Sequence, residues 1–172
     1  MAMIDAPHLT APHGNPFNRP DKVGVALSAL VPMLAALIAN GLIYATGWTQ
    51  EDQAYDAVSF SPPGWVVGVV WLIIFPMWGF ARWKAYQAGT SGREQSWWAV
   101  ALIFWSLAYP VAVVFLDTMG SAWANVASLA FAALVAWRLS TVSKPAAGWI
   151  VPSLVWLGFA SVLGFAAVST GV

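Results

Sequence analysis

Five long windows without a charged residue constrain this 172-residue chain more than any other feature of its sequence. Asp, Lys and Arg each cost about +2.5 to +3.5 kcal/mol at the centre of a membrane helix, so charge-free apolar windows indicate membrane spans. A spanning helix needs roughly 20 residues, and each window is near that length. The windows cover residues 23–48, 65–81, 95–116, 118–137 and 145–168.

Apolar residues occupy all faces of these windows, without the alternation of barrel strands. We therefore predict an all-α membrane protein, a bundle of five transmembrane helices formed by residues 23–172. Residues 1–22 form a polar N-terminal extension with four prolines, a composition typical of disorder. The extension lacks the apolar core of a signal peptide.

The basic residues are confined to alternate connections between the spans. All seven Lys and Arg lie before the first span, between the second and third, or between the fourth and fifth. Glu51, Asp52, Asp56 and Asp117 lie in the other connections. Because basic connections stay in the cytoplasm, we expect a cytoplasmic N-terminus, an outer C-terminus and a multi-pass protein of the cell inner membrane.

The composition excludes several classes of protein. Only 8% of the residues are charged, against roughly 25% in soluble domains, and a formal net charge of zero leaves no basic surface for nucleic acid. The chain has no Cys, and its two histidines, His8 and His13, lie in the extension, so we expect no metal site. No catalytic triad or carboxylate pair falls within the spans, so we do not expect an enzyme.

Prolines and small residues predict how the spans pack. Each proline removes a donor and frees the carbonyl four residues earlier, which suits a kink beside a cavity, although proline is also simply common in membrane helices. Small residues at four-residue spacing predict close approach of helices, within the chain or between chains. The prolines are Pro32, Pro76, Pro110 and Pro152; the small residues are Gly64 and Gly68, Ser128, Ala132 and Ala136, and Ala160 and Gly164.

The twelve Trp residues divide by their depth in the spans. Those near span ends suit headgroup anchoring. Deeper indoles need an acceptor for the N–H group and are candidate ligand contacts, with core packing or lipid contact as the alternative. The deep set is Trp71, Trp78, Trp105 and Trp156, and the candidate polar partners are Tyr44, Ser106, Tyr109 and Ser153.

Two separated segments carry a family resemblance. Residues 59–71 read SFSPPGWVVGVVW, and residues 152–164 read PSLVWLGFASVLG. They resemble the patterns W-x-P-P-x-W-V-F-G-P-V-W and P-Y-L-x-W-x-x-F-A-x-x-L-N of the tryptophan-rich sensory protein family, also called the translocator protein family. The segments lie in the expected spans, and the resemblance covers residues 23–170.

The resemblance implies a five-helix bundle whose pocket, capped by the loop between the first two spans, binds porphyrins, sterols and synthetic ligands, often in a homodimer. Phe60 replaces a loop tryptophan of the family, and Trp105 and Ser106 lie near the position of a polar pair in the third span. The ligand-binding residues that this comparison implies are Trp71, Phe75, Trp156, Ala160, Phe60, Trp105 and Ser106.

The polar half of the family pocket is largely lost, since Leu102, Ser106, Ser153 and Gly164 replace larger polar residues. A porphyrin carboxylate would meet few donors, and each unsatisfied buried polar group costs about 1–3 kcal/mol. We therefore expect a hydrophobic ligand, of tetrapyrrole type (porphyrin or bacteriochlorophyll) or of carotenoid or isoprenoid type, in a sensory or carrier role with no obligatory cofactor. The alternative is an accessory pigment-binding subunit of a larger membrane complex, such as a photosynthetic reaction-centre and antenna assembly.

Overall fold

A computed structural model describes residues 15–46 and 53–170, without the side chains of residues 44, 53 and 54. His8, His13, Trp48, Glu51 and Asp52 lie outside the described residues. A 3-10 turn, Pro16–Asn18, precedes the helices. These are α1 (Lys22–Thr46), α2 (Gln53–Asp56), α3 (Gly64–Tyr86), α4 (Thr90–Val113), α5 (Thr118–Ser140), α6 (Lys144–Gly148) and α7 (Val151–Ser169).

Five stretches are long and apolar enough to cross a membrane, and every regular element in the described ranges is helical. The all-α prediction of five spans is therefore confirmed. The fifth stretch, Lys144–Ser169, consists of α6 and α7. Pro152 lies in the first turn of α7, where the N–H group that proline lacks would have no helical partner in any case.

The second span is longer than its charge-free window. The sequence predicted residues 65–81, whereas α3 continues to Tyr86. The guanidinium of Arg82 donates hydrogen bonds to protein acceptors, and the ammonium of Lys84 lies 5.8 Å from the centroid of the Trp83 ring. Both charges are thus accommodated at the end of the helix, so the first charge does not end it.

The long helices run antiparallel to their neighbours. On α4 and α5, Arg138 contacts Trp98 near one end of the pair, and Tyr109 donates to Asn125 near the other. All seven Lys and Arg, which lie between Arg19 and Lys144, consequently collect at one end of the bundle, here called the basic end. The described carboxylates of Asp56 and Asp117 lie at the opposite, acidic end.

α1 and α3 pack closely at a proline and a glycine. Pro32 has no N–H group, so the carbonyl of Ser28 lacks its helical donor. Gly79 packs against this carbonyl so closely that a Cβ atom on Gly79 would lie 1.7 Å from the Ser28 oxygen. Only glycine fits at this crossing, because the obstacle is backbone.

The small-residue predictions have different outcomes in different helices. Ser128 and Ala132 are buried in the bundle. A Cβ on Gly164 would lie 3.0 Å from the Cα of Ala122, so α5 and α7 pack closely there. A Cβ on Gly64 or Gly68 would meet no heavy atom within 4 Å, so these two glycines line no close contact within the described chain.

The described end of the extension, residues 15–21, is docked on the bundle. Trp83 donates its indole N–H to the carbonyl of Arg19 at 2.9 Å, and Gln87 donates its side-chain amide to the carbonyl of Asn18 at 3.0 Å. Asp21 caps α1 by accepting from the N–H groups of Val23 and Gly24. Side chains of α3 thus satisfy the carbonyls that precede α1.

Candidate functional site

Three aromatic rings form a connected series on one face of α3. Trp71, Phe75 and Trp78 are four and three residues apart, a spacing that brings side chains onto the same face of a helix. The ring centroids of Phe75 and Trp78 are 5.3 Å apart, and that of Trp71 lies 5.9 Å from Phe75 and 6.0 Å from Trp78. Phe75 and Trp78 are buried, whereas Trp71 is half-buried at the open end of the series.

α7 supplies the polar partner of this series. The Trp78 indole N–H donates to the Ser153 hydroxyl oxygen at 3.0 Å, and that hydroxyl donates to the carbonyl of Ile150 at 2.6 Å. Trp78 and Ser153 are almost completely buried. The serine that replaces the family tyrosine therefore acts as the acceptor for a tryptophan, which fixes α7 against α3.

A second aromatic set lies on α7 and on the loop before α3. The rings of Trp156 and Phe159 are 5.6 Å apart, and Phe159 lies 6.3 Å from Phe60 in an edge-to-face contact. Phe60 is 48% exposed, so it lies at the rim of this set. Val58 of the same loop packs with Leu163 and Ala167, so the loop covers the acidic end of α7.

The two aromatic sets are linked through Trp156, which packs with the first buried cluster, whereas Phe159 packs with a second, that of Val58, Leu163 and Ala167. Trp71 and Trp156 both pack against the buried cluster that contains Phe75, Leu102 and Leu157. The structure therefore brings together four of the predicted site residues: Trp71, Phe75, Trp156 and, through Phe159, Phe60. Trp78 was a candidate ligand contact because of its depth in the span, but it was not among the residues that the resemblance implied, although its position seven residues after Trp71 could have indicated it. Phe159 was not singled out in the sequence, because it was only one position within the second motif.

Two other predicted residues, Trp105 and Ser106, lie on α4. Trp105 donates its indole N–H to the Ser128 hydroxyl oxygen at 2.9 Å and contacts the Phe131 ring at 5.6 Å. Ser106 is half-buried on the same helix. Trp105 is 43% exposed rather than deeply buried, and its polar partner Ser128 was predicted only as a small packing residue.

The last predicted residue, Ala160, belongs to a polar network that the sequence analysis missed. Its carbonyl accepts from the Asn125 side-chain amide at 3.2 Å, and the Asn125 carbonyl oxygen accepts from the Tyr109 hydroxyl at 2.5 Å. Asn125 is buried and joins three spans, α4, α5 and α7. A lone asparagine in an apolar window was the available signal, because a polar side chain there needs partners within the bundle.

The site is electrically neutral. All seven Lys and Arg lie at the basic end. On α3 the first of them, Arg82, comes one helical turn after Trp78. No group of three metal-ligating side chains occurs in the part of the chain that the structure describes. The site therefore offers aromatic faces and aliphatic walls, which suit apolar contacts with a flat or extended ligand.

These features define a polytopic helical membrane protein with a cluster of aromatic rings between its second and fifth spans. The TspO/MBR family profile matches residues 28–169, and the chain therefore belongs to the TspO/MBR family. The chain is also similar to the Tryptophan-rich protein TspO of Chlorobaculum tepidum, with 31% identity over 118 residues, which cover 62% of this chain and 70% of that relative. The resemblance found in the two motifs is thus confirmed.

Proposed function

We propose that this protein binds a hydrophobic ligand against Trp71, Phe75 and Trp156, beneath Phe60, in a sensory or carrier role. The supporting observation is that rings from α3 and α7 pack against one buried cluster of neutral side chains, and that Phe60 of the loop before α3 contacts the Phe159 ring of α7. Trp71 and Trp156 supply half-buried ring faces, and Phe75 closes the inner wall. Ala160 adds no bulk beyond a methyl group.

The ligand class follows from the polar groups that remain. The Ser153 hydroxyl is already bonded to Trp78 and Ile150, and no Lys or Arg lies near Phe60. A free porphyrin carboxylate would lose its hydration here without an ionic partner, which is unfavourable. A carotenoid, a quinone or another isoprenoid loses little hydration, and an esterified tetrapyrrole such as bacteriochlorophyll is the next best match.

Ligand titration of the purified protein in lipid nanodiscs tests this proposal. A carotenoid and a free-acid porphyrin are each titrated, and saturable binding is followed by ligand absorption and induced circular dichroism. Trp156→Ala should weaken binding about tenfold, because loss of an aromatic contact and its apolar area costs roughly 1.4 kcal/mol. Trp123→Phe is the matched control, since that indole is 59% exposed and contacts Phe165.

Either of two results contradicts the proposal. Binding that never saturates would indicate partition into the bilayer, and equal weakening by Trp156→Ala and Trp123→Phe would place the ligand elsewhere. Tighter binding of the free-acid porphyrin than of the carotenoid would overturn the ligand class but not the site.

We propose a binding role in preference to an enzymatic one. The described spans hold no carboxylate pair, and their serines donate to backbone carbonyls, as Ser153 and Ser161 do. No side chain there is placed as a general base. Illumination of the porphyrin-loaded protein checks this, because turnover that disappears in Trp71→Phe would establish catalysis.

The charge asymmetry of the bundle supports the proposed orientation, in which the basic end and the N-terminus are cytoplasmic in the cell inner membrane. The chain contains no Cys, so single cysteines can be introduced without background. Ser91→Cys lies at the basic end and Ser59→Cys near the acidic end, and both positions are exposed. An impermeant maleimide added outside sealed cells should label only Ser59→Cys; labelling of Ser91→Cys alone would reverse the orientation.

A second candidate function is supported by the outward face of α3. Gly64 and Gly68 have open space around them, and Trp65 beside them is 72% exposed. Glycines at this spacing allow a helix of another chain to approach closely, in a homodimer or in a pigment-bearing membrane complex. Mild-detergent purification with an absorption spectrum and a subunit inventory distinguishes these, and Gly68→Leu should release the partner if this face is used.

A further inference from the structure

Arg82 lies at the basic end of α3 within a shell of neutral acceptors. Its guanidinium donates to the side-chain oxygen of Asn18 at 2.9 Å, the carbonyl of Phe17 at 2.6 Å and the hydroxyl of Ser28 at 2.9 Å. The side chain is half-buried. These bonds orient the guanidinium but do not neutralise its charge.

The described chain supplies no carboxylate to this guanidinium. The ion pair found among residues 15–46 and 53–170 joins Arg19 to Asp21 at 2.7 Å and does not include Arg82. A partly buried charge is favourable only when an opposite charge or strong hydrogen bonds compensate for lost hydration. Arg82 therefore has an unused capacity to bind an anion.

A small pocket lies directly beside Arg82. It has a volume of about 80 Å³, which is the size of a single small polar group, and it lies between the 3-10 turn, the end of α3 and the start of α4. A second cation, Arg93, contacts the same pocket residue as Arg82 does. The Arg82 guanidinium lies 5.9 Å from the centroid of the Tyr86 ring, and the Arg93 guanidinium lies 5.4 Å from it. The lining residues are Asn15, Asn18, Arg82, Tyr86, Ser96, Trp97 and Val100.

The outer wall of the pocket continues into an apolar face of α4. Trp97 is 69% exposed, and Phe104, two turns farther from the basic end, is 67% exposed. Val100 lies between them. An anionic group in the pocket can therefore be covalently joined to a chain that extends along α4 towards the membrane centre. An indole at the membrane interface also commonly lies at headgroup depth.

We propose that this pocket binds the phosphate of an anionic phospholipid, with its acyl chain along Trp97, Val100 and Phe104. Arg82 supplies the charge, and an Arg–phosphate contact is among the stronger charge-assisted hydrogen bonds. The amide of Asn18 and the hydroxyl of Ser96 line the remaining polar wall. The site is independent of the aromatic ligand site, which lies on the other side of Trp78 along α3.

Native mass spectrometry of the full chain tests this, with phosphatidylglycerol compared with phosphatidylcholine at equal concentration. Arg82→Gln should reduce the affinity for phosphatidylglycerol at least tenfold, with little change for phosphatidylcholine. Lys84→Gln is the matched control: it removes the same charge from the same helix end, but Lys84 does not line the pocket, so we expect a change within about twofold.

A second variant keeps the proposal testable if Arg82→Gln fails to fold. Val100→Phe fills the pocket and leaves all three hydrogen bonds of Arg82 in place, and it should also reduce phosphatidylglycerol binding about tenfold. Competition with inorganic phosphate separates the two sources of phosphate. Equal binding of the two lipids, equal loss in Lys84→Gln, retained lipid binding in Val100→Phe, or displacement of lipid by millimolar inorganic phosphate would each overturn the proposal.

Discussion

The two halves of α3 belong to one helix but are packed very differently. All its buried residues lie in the second half, from Ile74 to Ala85. In the first half Gly64 and Gly68 have open space around them and Trp65 is 72% exposed. One half is fixed by α1, α7 and the docked turn, and the other is available to molecules outside the chain.

This contrast explains where a ligand site can arise. Trp78 is held by Ser153 and has no freedom to adapt, whereas Trp71, two turns nearer the acidic end, is only half-buried. The proposed ligand contacts therefore begin where the internal packing of α3 loosens. The tightly packed half of α3 holds its side chains in fixed positions, and the loosely packed half leaves space for a ligand.

The largest expected effect on stability is the difference between two variants that each add one methyl group, one in the packed half of α3 and one in the open half. Gly79→Ala places a Cβ 1.7 Å from the Ser28 carbonyl oxygen, so α1 and α3 must separate, and we expect a destabilisation of about 3 kcal/mol or more. Gly68→Ala meets open space and should leave stability unchanged or raise it by up to about 1 kcal/mol, because alanine is the better helix former. Unfolding in a detergent series measures both, and similar stabilities would invalidate the contrast between the halves.

The hydrogen bond between Trp78 and Ser153 gives the next largest effect. Ser153→Ala leaves a buried indole N–H without its acceptor, at a cost of roughly 1–3 kcal/mol. The double-mutant cycle with Trp78→Phe isolates the pair, and we expect a coupling of about 0.6 kcal/mol with a ceiling near 1.7 kcal/mol, as in other membrane helices. A coupling of zero would mean that apolar packing alone fixes α7 against α3.

One indole from each half, the half-buried Trp83 and the exposed Trp65, compares the halves on a smaller scale. Trp83→Phe removes the N–H donor to Arg19 but retains a ring to stack on Phe80, whose centroid is 5.5 Å away. We expect a loss of about 0.5–1.5 kcal/mol and faster backbone hydrogen exchange near Arg19. Trp65→Phe removes an indole that is 72% exposed and should leave both quantities unchanged.

The smallest effect is a pH dependence at the packed half. The backbone N–H of Gly24, aided by the nearby charge of Arg19, holds the pKa of the Asp21 carboxyl below its usual value. The cap thus contributes stability that is complete above about pH 4 and is lost as the pH falls through the lowered pKa. Asp21→Asn should remove this dependence when thermal midpoints at about pH 6 and about pH 3 are compared; an identical acid slope in wild type and variant would exclude Asp21 as its source.

The sequence was sufficient to predict the spans because charge is so costly in a membrane that its absence marks them. The sequence was insufficient to predict where the spans end, because the cost of a charge there depends on its hydrogen-bond partners. The charge of Arg82 was predicted to end the second span, yet its guanidinium donates hydrogen bonds to Asn18, Phe17 and Ser28, and the helix continues past it. That shell involves residues more than 50 positions away, which no local window contains.

The aromatic contacts of the candidate site were predictable only for residues that lie at motif positions. Trp71, Phe75 and Trp156 do pack on one core, because the motif spacing and the helical period agree. Hydrogen-bond partners across helices were not predictable, as the pairings of Trp105 with Ser128 and of Asn125 with Tyr109 illustrate. Helix rotation decides these pairs, and an apolar span with little periodicity contains almost no information about its rotation.

The docked turn before α1 also has a consequence for biogenesis. Phe17 and Asn18 are synthesised first, but their partners Arg82 and Gln87 follow 65 and 69 residues later. The turn can therefore be fixed only after α1 has crossed the membrane, α3 has crossed back, and the end of α3 has reached the same surface. The first helical hairpin is complete once this contact has formed. A chain that stalled after α1 would leave the turn before α1 accessible to proteases and to the insertion machinery.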